Sequence, residues 1–162
     1  MANAVYRAIG TTLSFRDSGG DAVLTLQNLA FGVGRVSARY DRGAGSLPRL
    51  YHWRAIVQFE TAPAVGEIVE IYLFESDGTY MDGTLGTSDA ALGSDKRKNG
   101  KLIGVIVVDT TSTATDIVAS GMCLINQRYF SVGVWNGSAG DNLKNTANTS
   151  RVNLTPVNDE IQ

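Results

Sequence analysis

The sequence predicts an all-β protein: an antiparallel β-sandwich or jelly roll of about eight or nine short strands. Three observations carry this. Apolar residues alternate with period two in several stretches; Gly, Asn and Asp clusters punctuate them at short intervals; and no window of a dozen residues holds a clean helical stripe.

The clearest strand is LYHWRAIVQFE, 50–60, where Tyr51, Trp53, Ala55, Val57 and Phe59 share one face while His52, Arg54, Gln58 and Glu60 share the other. EIVEIYLFE, 67–75, carries apolar residues on both faces, which suits a strand covered on both sides. The connection TAPAVG between them suggests that the two form a hairpin. Further strands are expected at 21–31, 34–41, 100–109, 129–136 and 150–157, with short ones near 4–16 and 116–126. The turns DSGG, DRGAG, SDG, KNG and NGSAGDN separate them, because Gly and Asn accept the backbone angles that tight turns need. One domain is expected over residues 1–162, with strand-like terminal arms at 1–12 and 152–162 and a long irregular loop at 76–99.

Composition excludes several classes of function. Fourteen Lys and Arg against sixteen Asp and Glu leave a net charge of −2, and the one dense basic cluster is Lys96, Arg97 and Lys98. Nucleic acid is therefore not an expected partner, since phosphate neutralisation needs many clustered cations. No apolar stretch approaches a membrane span, and the start MANAVYRAIG has no secretion signal, so the chain is expected to be made in a cytoplasm. The sequons at Asn136, Asn148 and Asn153 matter only in a secretory pathway. Cys123, the single cysteine, sits among apolar residues as a small hydrophobe would.

The stretch ESDGTYMDGTLGTSD, 75–89, is rich in carboxylates and raises the question of calcium. It lacks the ligand spacing and flanking helices of an EF-hand, and its two Asp-Gly pairs, at Asp77 and Asp82, are what tight turns prefer. A loose surface site from Asp77, Asp82 and Asp89 is the residual alternative. His52 is the one histidine, and neither zinc coordination nor a nucleophile–base pair can be assembled around it. Paired carboxylates among Glu67, Glu70, Glu75 and Asp109 arise by default on strand faces, and GVGRVS, 32–37, lacks the third glycine and the helix of a phosphate loop. No enzymatic activity, cofactor or metal is expected. Trp135, beside the small polar loop NGSAGDN and with the 77–89 loop, raises a lectin-like alternative based on ring stacking.

The segments ARYDRGAGSLPRLYHWRAIVQFETAPAVGEIVEIYLFESDGT, 38–79, and VNLTPVNDEIQ, 152–162, resemble small virion proteins of tailed bacteriophages. The shared features are an R-x-D-x-G stretch, a Y-x-W-R strand, P-x-V-G-x-x-V-x-I-Y and a terminal L-T-P-x-x-D-E. The resemblance implies a head decoration, or cement, protein of the virion exterior. Such a protein forms trimers and clamps the major capsid protein; a tail or adhesion component is the nearby alternative. Candidate contact residues are Arg35, Arg39, Tyr40 and Arg42, whose types interface hot spots favour, and Val5, Tyr6 and Ile161 in the terminal arms, which are strand-like enough to extend another chain's sheet.

Overall fold

The computed structural model describes residues 5–45, 47–78, 86 and 88–161. Its strands are β1 (Val5–Ile9), β2 (Leu13–Arg16), β3 (Ala22–Val23), β4 (Val33–Val36), β5 (Tyr40–Asp41), β6 (Leu50–Val57), β7 (Ile68–Ser76), β8 (Ala90–Leu92), β9 (Lys101–Val107), β10 (Ile117–Leu124), β11 (Tyr129–Asn136) and β12 (Arg151–Ile161). The one helical element among the described residues is a 3-10 turn at Lys96–Asn99. Two sheets form, in the orders β10-β6-β12-β2-β3 and β8-β4-β11-β7-β9, with β1 beside the end of β12 and β5 beside β11. All pairings are antiparallel except β2 with β3. The fold is the sandwich that the alternating pattern predicts.

The strand count exceeds the expectation because single apolar stretches break into two. Residues 34–41 give β4 and β5, which pair with the two ends of β11, and the N-terminal stretch gives β1 and β2 around Gly10. The stretch 21–31 is a strand only at Ala22–Val23. Beyond that it is a loop that buries only its leucines: Leu24, Leu26 and Leu29 fill the core while the Asp17 carboxylate takes the backbone N–H groups of Leu26 and Gln27, at 2.7 and 2.8 Å. A carboxylate that accepts two N–H bonds replaces a strand ladder for that segment.

The expected hairpin of 50–60 with 67–75 does not form. β6 lies between β10 and β12 in one sheet, and β7 lies between β11 and β9 in the other. The 58–67 segment is an arch across the sandwich. Phe59, fully buried, bridges to Leu143, while Gly66 N–H donates to the Val108 carbonyl at 2.9 Å on the far side.

Burial follows the alternation. Tyr51, Trp53, Ala55, Val57 and Phe59 all face the core, packed against Val69, Ile71 and Leu73 of β7 and Phe130, Val132 and Val134 of β11. β7 is covered on its other face as well, where Tyr72 and Phe74 join Val36, Leu92 and Trp135 in a second cluster. Part of the expected 76–99 loop supplies the cover. Residues 88–100 fold back across this face, with Gly100 so close to Phe74 that a Cβ would sit 2.6 Å from its ring, and Arg97 stacked 4.3 Å from the Trp135 centroid. Arg97 also donates to Glu70 at 2.7 Å, and the Tyr72 hydroxyl donates to the same carboxylate at 2.9 Å.

Between β9 and β10, the outermost strands of the two sheets, no backbone pairing is formed among the described residues. The Trp53 side chain fills that corner, lying over Gly121 of β10 and reaching Gly104 of β9.

Candidate functional site: an arginine–tyrosine end and a terminal ribbon

The connections 41–50 and 124–129, the last residues of β7 and the ribbon of β1 with β12 gather at one end of the sandwich. Backbone bonds hold the end together. Arg42 N–H donates to the Arg128 carbonyl at 3.1 Å, Ile125 N–H donates to the Arg49 carbonyl at 2.8 Å, and the Glu75 carboxylate accepts from the N–H groups of Asn126 and Gln127.

Four arginines are ordered here, by hydrogen bonds, by stacking on tyrosine rings or by both. Arg42 donates to the carbonyl oxygens of Gln127 and Pro48 and lies 5.9 Å from the Tyr51 centroid. Arg49 donates to Asn126. Arg128 grips Asp41 with two 2.7 Å bonds and lies 4.9 Å from the Tyr129 centroid, and Arg39 lies 4.6 Å from the centroid of that same ring. Cationic planes over aromatic rings attract electrostatically and fix side chains that would otherwise sample many rotamers. Asp41 is held at about 2, below its ordinary 3.8, chiefly by the Arg128 bonds and then by the Gly43 N–H. Gly78 completes the frame. With φ of +104° it makes the turn after Asp77 and packs edge-on to Tyr129, where a Cβ would come within 2.8 Å.

The expected contact residues separate into four groups. Arg39 and Arg42 belong to this end. Tyr40 is half-buried and packs its ring on Phe15 and Phe130, at centroid distances of 6.2 and 5.5 Å, so burial raises its phenol pKa; it is a core residue. Arg35 is remote from the cluster, paired with Asp89, which also accepts Thr25 N–H at 3.2 Å. Of the carboxylates weighed for calcium, Asp89 is thereby engaged, Asp77 lies in the turn, and Asp82 lies outside the described residues. Among the described residues no group of three or more His, Cys, Asp or Glu is placed to hold a metal, and no helix is long and apolar enough to cross a membrane. Trp135 is 8% exposed with Arg97 over its ring, so it offers no open platform to a sugar.

Val5, Tyr6 and Ile161 lie in the ribbon. β1 pairs antiparallel with β12 from Val5 opposite Ile161 to Ile9 opposite Val157. β12 has β6 on its other side only as far as Val157, because β6 begins at Leu50. Residues 158–161 therefore have β1 as their one strand partner among the described residues, and β1 has only β12.

Beside that vacant edge lies an open groove of about 570 Å³ lined by Leu47, Pro48, Arg49, Leu50, Leu124, Val157 and Asn158. Leu50 and Leu124 are shared with a second groove that Leu102 and Met122 border, and both of those are about half exposed. Sequence reasoning missed this apolar surface, although β9 and β10 do carry apolar residues on both faces, which was the available signal. It also missed Arg128, which joins Arg39 and Arg42 when β5 pairs with β11, and Arg49, which comes just before the start of β6 in the other sheet.

No family model matches the chain, and no curated protein matches it in sequence.

Proposed function

We propose that this chain is a non-enzymatic structural protein of a tailed-phage virion, a head decoration protein that oligomerises and binds the outside of the shell to stabilise the lattice of the major capsid protein. The observation that supports it most is the concentration, at one end of the sandwich, of two strand edges unpaired among the described residues, an open groove of mixed polar and apolar lining and a fixed set of arginines. Unpaired edges accept strands from other chains, and arginines with rings are what protein contacts favour. Such an end is equipment for protein contact. The resemblance of 38–79 and 152–162 to phage virion proteins includes the strands that frame it.

The test is sedimentation of the purified protein with intact heads of the phage that encodes it, beside an array of immobilised glycans. Saturable binding to heads with none to glycans supports the reading. Binding to glycans with none to heads overturns it in favour of a carbohydrate-binding module.

A further inference from the structure

We infer that the outer face of the sheet formed by β10, β6, β12 and β2 is a docking surface for an acidic surface of a different protein, with Arg54 at its centre and the apolar residues of β10 along one side. The inference rests on the reading of the chain as a protein that binds another protein, and it names the face and the chemistry of that contact.

Three observations carry it. First, the face carries charge of one sign. Strand alternation turns Trp53, Ala55, Val152 and Leu154 into the core, which sends His52, Arg54, Arg151 and Asn153 outward. Ser14 and Arg16 leave the same way on either side of the core residue Phe15. β10, β6, β2 and residues 151–158 of β12 contain no Asp or Glu. A chain of net charge −2 thus presents one sheet face on which the charged residues of these strands are all arginines.

Second, the central arginine is free. Arg35, Arg97 and Arg128 are each neutralised by a carboxylate, from Asp89, Glu70 and Asp41 in turn. On this face Arg151 donates to the carbonyl oxygens of Asn148 and Thr149, and Arg16 to that of Gly19, so both keep their net charge. Arg54 is exposed and has no hydrogen-bond or ion-pair partner among the described residues. Its cross-strand neighbours are Ser120 on β10 and Asn153 on β12, both neutral. A guanidinium with its donors unused is matched in geometry to a carboxylate, which it can grip with two parallel bonds.

Third, an apolar strip lies beside it. Val118, Met122 and Leu124 point outward from β10 and are 43%, 49% and 47% exposed. Leu124 stands opposite Leu50, and Leu50 opposite Val157, so the strip continues across three strands into the groove at the end of the sheet. Arginine and methionine around an apolar patch is the composition that protein contacts favour.

Charge selects the occupant. A second copy laid on this face would set arginine against arginine, and like charges across a contact are costly. Nucleic acid would lay phosphates along the Val118–Leu124 strip, and tight binding to it needs more cations than this face supplies. An acidic protein surface with an apolar residue for the strip satisfies both halves.

The experiment is sedimentation with intact heads of the phage that encodes the chain, using the parent, Arg54→Glu, Met122→Asp and, as a control, Lys98→Glu. Lys98 lies in the 3-10 turn that covers the other sheet, and like the two test positions it is exposed. We expect Arg54→Glu and Met122→Asp each to weaken head binding by at least about ten-fold, and Lys98→Glu to leave it unchanged. Raising the salt concentration should weaken the parent more than Arg54→Glu. Should Arg54→Glu fail to fold, Arg54→Gln, which removes the charge without reversing it, decides the same question. Parent-like binding by both face variants would overturn the inference while leaving the head-binding reading standing. No binding by the parent would overturn both. Displacement of the parent from heads by added duplex DNA would assign the face to nucleic acid and overturn the inference.

Discussion

The indole of Trp53, on β6, reaches across the sandwich to Gly104 on β9, where an added Cβ would stand 2.1 Å from the ring. The same ring covers Gly121 on β10, so one side chain closes the corner where the two sheets meet without backbone bonds. Gly104→Ala forces the indole or the strand to move. We expect a loss of about 1–3 kcal/mol, the usual cost of overpacking, measured by urea unfolding. Trp53→Ala, which empties the corner, should cost about 3–5 kcal/mol. A Gly104→Ala protein as stable as the parent would mean that the corner is loose.

Arg35 and Asp89 give a second test. The Asp89 side chain is 8% exposed and answers to Arg35 and to the Thr25 N–H, so its charge is satisfied from within the chain. Arg35→Leu strands that carboxylate and should destabilise the fold by about 2 kcal/mol, somewhat under the cost of breaking a fully buried pair. A chelator should leave the melting temperature of the parent unchanged. A fall of several degrees would show that a divalent ion holds the loop that Asp89 closes.

The tie between Asp41 and Arg128 sets an acid limit at the arginine end. With its folded pKa lowered from 3.8 to about 2, Asp41 favours the folded state at pH above 3.8. That contribution is lost as the pH falls through the window from 3.8 to about 2. The site is exposed, so the effect on global stability is small. We expect the Asp41 carboxyl carbon to titrate near pH 2 by NMR, and Arg128→Gln to return it toward the ordinary value.

Cys123 is 5% exposed, and burial pushes its thiol up to about 11. At about pH 8 it is almost wholly protonated, and the thiolate is the reactive form. Alkylation by iodoacetamide should therefore be far slower in the folded protein than in urea. Equal rates would place the thiol at the surface.

Much of the sandwich was legible in sequence where a strand has one buried face. Tyr51 to Phe59 alternate, and each of the five is buried, because period two is the geometry of the pleat itself. The double-sided apolar pattern of 67–75 was likewise read for the right reason, since Tyr72 and Phe74 are buried beneath residues 88–100. Pairing was less legible. TAPAVG reads as a turn whether the chain doubles back within one sheet or arches to the other, and only the buried anchor Phe59 with its bridge to Leu143 decides for the arch. Leu24, Leu26 and Leu29 mimic a strand because a core accepts apolar side chains from a loop once Asp17 has satisfied its backbone.

The contact end was partly legible. Arg39 and Arg42 stand out in GRVSARYDRG, but nothing local marks Arg128, which binds Asp41 and shares the Tyr129 ring with Arg39, since the Asp41 pairing spans 87 residues. Tyr40, in the same motif, is turned into the core by its aromatic neighbours Phe15 and Phe130.

The most direct measurement is the temperature at which intact phage heads release their DNA, followed by a fluorescent dye, with and without saturating protein. A decoration protein that clamps neighbouring capsid subunits should raise that temperature by several degrees. Heads that release DNA at one temperature regardless of added protein would contradict the proposed function.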